Sequence, residues 1–299
     1  MKHKPKSAPR RSSGVAGLFD LKANKSLGQN FLKDTGVLES IARATQELAG
    51  LGQRTLEIGP GTGCLTKVLL EQGHPVLAVE LDPRSVEGLK LANQPLLEVV
   101  EGSILKLGSE FWQSLPAPLF GGKWVCVGNL PYYITSDILL WFLSKRDFFC
   151  GGIFMVQKEV GQRLTAQAGT KSYGRITARL ALDFQVEWVC HVPAEAFEPK
   201  PQVDSAVICL KPHPQSALFP NEVEDFERFT SQLFSARRKM LRVTLKEFLL
   251  TSSPLESKIV IENLETHCQL KLTQRPEELD PLCLLTLFRY LRDSKIAKS

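Results

Sequence analysis

The chain has 299 residues, of which 43% are hydrophobic and 23% charged, with a formal net charge of +5. That length fits one large or two modest domains, because single cores stop growing near about 250–300 residues. The composition excludes a wholly disordered chain, and no apolar run approaches the roughly 18 residues of a helical membrane span. The charge is unevenly placed: residues 1–30 hold seven Lys or Arg against Asp20 alone, and the other 269 residues carry 30 bases and 31 acids.

In chain order, residues 1–24 read as a basic, disordered tail, since they lack the apolar stretch of a secretory signal. Val37–Leu48 has the spacing of one helix face. Thr55–Ile58 reads as a strand that runs into a glycine cluster, followed by a helix at Leu65–Glu71 and a buried strand at Pro75–Val79. Apolar runs at Leu96–Val100, Trp124–Val127 and Ile153–Val156 alternate with helical patterns at Arg84–Ala92, Ser136–Leu143 and Lys158–Ala166. Such alternation implies β-α-β units in a doubly wound, Rossmann-like α/β sheet, completed at an edge by Phe184–Val192 and Ser205–Leu210. Beyond residue 211 the periodicity is helical only, at Val223–Phe234, Lys239–Leu250, Ser257–Leu264 and Pro281–Leu291, which predicts a small all-helical second domain over 212–299 after an α/β domain over 25–211. The seven cysteines form no C-x-x-C pair, and their odd number closes no disulfide framework, as expected of reduced thiols in the cytoplasm. The five histidines are scattered, so no metal is expected.

The run Glu57-Ile-Gly59-Pro-Gly61-Thr-Gly63 sits between a strand and a helix, where glycines let backbone approach a nucleotide. Glu80 closes the next strand, placed to accept ribose hydroxyls. The spacing G-x-G-x-G departs from the dinucleotide pattern, and Pro60 removes one backbone donor, so S-adenosylmethionine suits the loop better than a ligand with a diphosphate. Asn129-Leu130-Pro131-Tyr132 directly follows another buried strand. The exocyclic amine of adenine is a poor nucleophile, and two acceptors, the Asn129 side-chain oxygen and the Leu130 carbonyl, can hold its N–H groups and aim its lone pair. Pro131 stiffens the turn, and Tyr132 offers a face on which an extracted base stacks.

These segments, with Lys25-Ser-Leu-Gly-Gln-Asn30-Phe-Leu32, Glu80-Leu-Asp82, Tyr173-Gly-Arg175 and Phe197-Glu-Pro-Lys-Pro-Gln-Val-Asp-Ser-Ala206, resemble in order the KsgA/RsmA family of ribosomal RNA adenine dimethyltransferases. The resemblance implies a class I methyltransferase domain with a helical C-terminal domain, which dimethylates two adjacent adenosines near the 3′ end of small-subunit rRNA within a pre-ribosomal particle. It implies cofactor contacts from Asn30, Leu32, Gly59, Gly61, Glu80 and Asn129, and Phe197 as a second aromatic opposite Tyr132. The family usually has Asp where this chain has Ser103, so Ser103 is expected to bind the cofactor adenine less strongly. In the second domain Arg237, Arg238, Lys239 and Arg242 form a basic run on a helix, with Arg238 and Arg242 as i,i+4 neighbours suited to RNA phosphates. The protein is expected to act as a monomer. Two other readings remain open: a large-subunit rRNA methylase of the antibiotic-resistance type, and a non-catalytic assembly or transcription-factor relative.

Overall fold

The computed structural model describes residues 17–50, 53–115, 122–249 and 264–296. The described residues form two compact units, one within 1–158 and 188–209, the other within 159–187 and 210–299.

The first unit is built on the strands expected. Strands β2 (Thr55–Ile58), β3 (Val76–Glu80) and β5 (Trp124–Asn129) are buried on both faces, which is why they read as unbroken apolar runs. They belong to a seven-stranded sheet of order β4-β3-β2-β5-β6-β9-β7, where β4 is Leu97–Glu101, β6 Phe149–Gln157, β7 Phe184–Val192 and β9 Ser205–Pro212. The pairs β2–β3, β3–β4, β2–β5 and β5–β6 are parallel. After β2 the chain winds outward through helices α2 (Cys64–Glu71) and α3 (Pro83–Leu91) to β4; with β5 it starts afresh on the other side of β2. The strand order therefore reverses between β2 and β5, and ligands of such sheets bind beyond the carboxyl ends of the strands at that reversal. The register Ile58↔Gly128 sets the glycine loop beside the Asn129 turn.

Helix α1 (Thr35–Ala49) starts at Asp34, whose carboxylate accepts the Val37 N–H at 3.0 Å, and buries Leu38, Ile41 and Ala42. A short antiparallel pair, β1 (Phe31–Leu32) with β8 (Phe197–Glu198), joins the N-terminal segment to a region 165 residues further on.

The second unit has its own core, in which Phe226 and Phe288 meet edge to face at 5.4 Å and Leu241, Leu284 and Leu287 are fully buried. It contains α4 (Arg175–Ala181), α5 (Val223–Ser235), α6 (Leu241–Leu249) and a last helix, Pro281–Ile296.

Three expectations are corrected. The second unit does not begin at residue 212: residues 159–187 belong to it as well, because Tyr173, Ala178 and Leu182 are buried in its core. Residues 17–24 are not a free tail, since the Leu18 N–H donates to the Thr62 carbonyl at 2.8 Å and the Phe19 ring lies where a side chain on Gly88 would stand. The basic run is not a helix face. Residues 236–240 form the break between α5 and α6, so Arg237, Arg238 and Lys239 lie in a turn and Arg242 alone is helical. The rest of the expected tail, residues 1–16, and the helix expected at Ser257–Leu264, Leu264 apart, lie outside the described residues.

Candidate active site

A cleft of about 1140 Å³, its open mouth included, lies beyond the ends of β2 and β5. It gathers Asn30, Leu32, Gly59, Gly61, Glu80, Ser103, Asn129, Leu130, Pro131 and Tyr132, residues drawn from 103 positions of sequence. Phe197 is the exception. In β8 it stands opposite Leu32, is only 5% exposed and packs into the core with Leu32, Val192 and Val207, so the structure does not bring it to the cleft.

The glycine loop is held open by backbone shape. Gly59 has φ +65° with empty space where a Cβ would point, and Gly61 has φ +57° with the Phe31 ring 2.8 Å from that position. A side chain at Gly61 would be strained and would collide with that ring. Glu80 is 6% exposed; its Oε2 accepts the Gly61 N–H at 3.0 Å and its Oε1 accepts the Asp82 N–H at 2.8 Å. Burial raises its pKa, against these hydrogen bonds. Beneath the loop, burial pushes Glu57 up to about 7, the Thr66 hydroxyl at 2.6 Å opposing and the nearby Glu80 charge adding to the rise.

The Asn129 carboxamide has one committed end. Its Nδ2 donates to the Asn30 carbonyl at 2.9 Å, which leaves Oδ1 as the acceptor it presents to the cleft. The Leu130 N–H donates to the Met155 carbonyl at 3.0 Å, fixing the peptide whose other neighbour is Pro131. The Tyr132 hydroxyl is hydrogen-bonded to Ser205 Oγ at 2.7 Å, so its ring is tethered.

A residue not singled out in the sequence ties the N-terminal segment down. Gln29 accepts the Asn24 N–H at 2.7 Å and donates from Nε2 to Asp82 Oδ2 at 2.9 Å. The same carboxylate binds the Arg84 guanidinium at 2.6 Å and caps α3; the hydrogen bonds from Arg84, chiefly, hold its pKa below the usual range. Asp82 is in turn hydrogen-bonded to Glu80, so Gln29 links the segment over the cleft to the carboxylate within it. Gln29→Ala is expected to raise the dissociation constant of the bound nucleoside by about 3- to 10-fold, the worth of one hydrogen bond, with little change in maximal rate; Gln29→Glu, facing Asp82, should raise it further. Calorimetric titration checks both.

The cleft fits S-adenosylmethionine. A carboxylate and open backbone at Gly59 suit a nucleoside, Leu81 and Ile104 give apolar wall beside Ser103, and Pro60 in the loop offers no backbone N–H to a diphosphate.

Comparison with known proteins identifies the family. The family model for ribosomal RNA adenine dimethylase matches residues 20–274. A ribosomal RNA small subunit methyltransferase A from Dichelobacter nodosus is 40% identical over 77% of this chain and 85% of its own length. A dimethyladenosine transferase from Plasmodium falciparum superposes with a TM-score of 0.70 at 26% identity, covering 89% of this chain and 98% of that one. The 23S rRNA methyltransferase ErmE follows with a TM-score of 0.65 at 28% identity, covering 88% and 100%. With a glycine loop, a buried carboxylate and an Asn-Leu-Pro-Tyr turn in one cleft, this chain, matched over most of its length, belongs to the ribosomal RNA adenine dimethylase family.

Proposed function

We propose that this chain is the small-subunit member of its family in its own cell: it dimethylates N6 of two adjacent adenosines near the 3′ end of small-subunit rRNA, acting as a cytoplasmic monomer on a pre-ribosomal particle. That it is an S-adenosylmethionine-dependent rRNA adenine dimethyltransferase follows from the family. The observation that carries the chemistry is the Asn129 amide, whose nitrogen donates to the Asn30 carbonyl and so orients the group with its oxygen as the acceptor for the target amine.

When bound, S-adenosylmethionine supplies an electrophilic methyl group. Glu80 holds the ribose, Gly59 and Gly61 let the backbone approach, Asn30 and Leu32 cover the cofactor, and Ser103 accepts from its adenine. Asn129 Oδ1 and the Leu130 carbonyl accept the N–H groups of the target amine, which reduces delocalisation of its lone pair into the ring and directs it along one line. Tyr132, tethered by Ser205, stacks on the extracted base. No side chain needs a tuned pKa here, since the amine proton leaves to water. Orientation and position supply the catalysis.

Ser103 makes one test of the cofactor assignment. Its side chain caps no backbone N–H of the short turn that follows, so the hydroxyl is available to a ligand. Ser103→Asp replaces a neutral acceptor with a charged one and should tighten S-adenosylmethionine binding by roughly 3- to 10-fold. Unchanged affinity contradicts the assignment.

For the RNA, Arg238, Lys239 and Arg242 are exposed, and Arg237 stands 3.6 Å from Glu277. These four are the proposed phosphate contacts. Charge reversal of Arg237, Arg238 and Lys239 should weaken binding to the small-subunit particle, each lost contact lowering the log–log salt slope by about 0.7–0.9, and spare cofactor binding. Equal affinity for the particle would remove the turn from the interface.

The experiment that separates this reading from the large-subunit one is methyl labelling of purified small- and large-subunit particles that lack the modification. Label in the small particle supports the proposal; label confined to the large one replaces it.

A further inference from the structure

Tyr133 lines the cleft but has no part in the chemistry above. Tyr132 and Tyr133 share one tight turn, Tyr132–Ile134, yet their settings differ. Tyr132 is partly buried and tethered through its hydroxyl. Tyr133 is 62% exposed at the cleft. One side of its ring is seated on the N-terminal segment: Cδ1 and Cε1 lie 3.5 Å from where a Cβ on Gly28 would stand, and Gly28, at φ +63°, carries no side chain to cover the ring. The result is a supported but largely uncovered aromatic surface, one residue beyond the ring that faces the target base.

Extracting a base for methylation costs its neighbours their stacking. Aromatic side chains recover such losses for any base, because every base offers a π-face, at about 1–3 kcal/mol each. Tyr132 and Tyr133 are neighbours in one turn and both line the cleft, which puts the nucleotide next to a base on Tyr132 within reach of Tyr133. A hydrogen-bonding reader would need a fixed polar partner; an exposed ring seated on a glycine supplies shape and stacking.

We propose that Tyr133 is the stacking platform for the base adjacent to the target adenine, a positioning residue for the RNA and not for the cofactor. This rests on the reading of the cleft as the adenine methylation site.

The test uses the full chain with unmodified small-subunit particles as substrate, comparing wild type, Tyr133→Phe and Tyr133→Ala. Tyr133→Ala should raise KM for the particle by about 5- to 150-fold, the range of one lost stacking contact. Its kcat at saturating particle and its dissociation constant for S-adenosylmethionine should stay within about twofold of wild type, and Tyr133→Phe should restore KM. An unchanged KM in Tyr133→Ala overturns the proposal. So does a matching rise in the cofactor dissociation constant, which would make the ring a prop for the segment at Gly28, and so does failure of Tyr133→Phe to restore KM, which would assign the effect to the hydroxyl. A wild-type enzyme that transfers no methyl group to the particle overturns the proposed function and this inference together, whereas an active wild type with an indifferent Tyr133 overturns the inference alone.

Discussion

Replacing Asn129 with alanine is expected to lower kcat for methyl transfer by about 10²- to 10³-fold, the usual cost of removing one preorganised polar partner of a reacting group. Cofactor binding should suffer far less. Asn129 also donates to the Asn30 carbonyl, and losing that bond weakens the segment over the cofactor by about 0.5–1.5 kcal/mol, or roughly 2- to 12-fold in affinity. The two effects are separable, since one is read at saturating cofactor and the other by direct titration. Asn129→Asp divides them differently: it keeps an acceptor for the amine but sets a carboxylate against the Asn30 carbonyl, so it should bind cofactor worse than Asn129→Ala and retain more rate at saturation. An Asn129→Ala enzyme that transferred methyl groups at the wild-type rate would remove the acceptor from the mechanism.

The largest stability effect is expected in the second unit, at Glu222. This carboxylate is 1% exposed; it accepts from Arg289 at 2.7 Å, from Arg292 at 2.6 Å and from the Phe219 N–H at 3.0 Å. The hydrogen bond from Arg289, the largest contribution, with those from Phe219 and Arg292, holds its pKa down to about 2 from the ordinary 4.5, against the opposing effect of burial. A depressed carboxylate stabilises the fold above its unfolded value and loses that contribution as pH falls through its folded one. Glu222 therefore contributes fully above about pH 4.5 and progressively less between 4.5 and about 2. Glu222→Ala removes the carboxylate shared by two guanidinium groups, of which Arg289 keeps the Ala217 carbonyl and Arg292 keeps Asp293. Breaking such a pair costs about 3–5 kcal/mol, and because both arginines are about a third exposed and can rehydrate, the lower end is expected. Denaturant unfolding at pH 7 should show that loss, and the variant should lack the wild-type decline between pH 4.5 and 2 that belongs to this group. Equal stability at pH 7 would contradict the account of this cluster.

Much of the cleft was legible because its chemistry is local in sequence. β2 and its glycine loop, β3 ending on Glu80, and β5 running into Asn129 each carry an apolar run directly followed by polar or glycine residues. What escaped was non-local. Gln29 acts on Asp82, 53 positions away, and Tyr132 is tethered by Ser205, 73 positions away. Phe197 stood in a conspicuous motif, but its burial follows from a two-residue strand pairing with β1, too short for any periodic signal. Residues 159–183 lie between strands β6 and β7 of the sheet, so chain order alone points to the first domain; the packing of Tyr173 and Leu182 reveals the second. α4 has seven residues and no extended apolar face, and the basic run reads as helix because a turn between two helices keeps much of their composition.

Two methyl groups on each of two adjacent small-subunit adenosines are the product proposed for this protein, and mass spectrometry of rRNA from cells lacking it reads that product itself. The prediction is small-subunit rRNA with two neighbouring adenosines missing both methyl groups, restored by the wild-type chain and not by Asn129→Ala. Small-subunit rRNA that retains N6,N6-dimethyladenosine in those cells, or a loss found only in large-subunit rRNA, would contradict it.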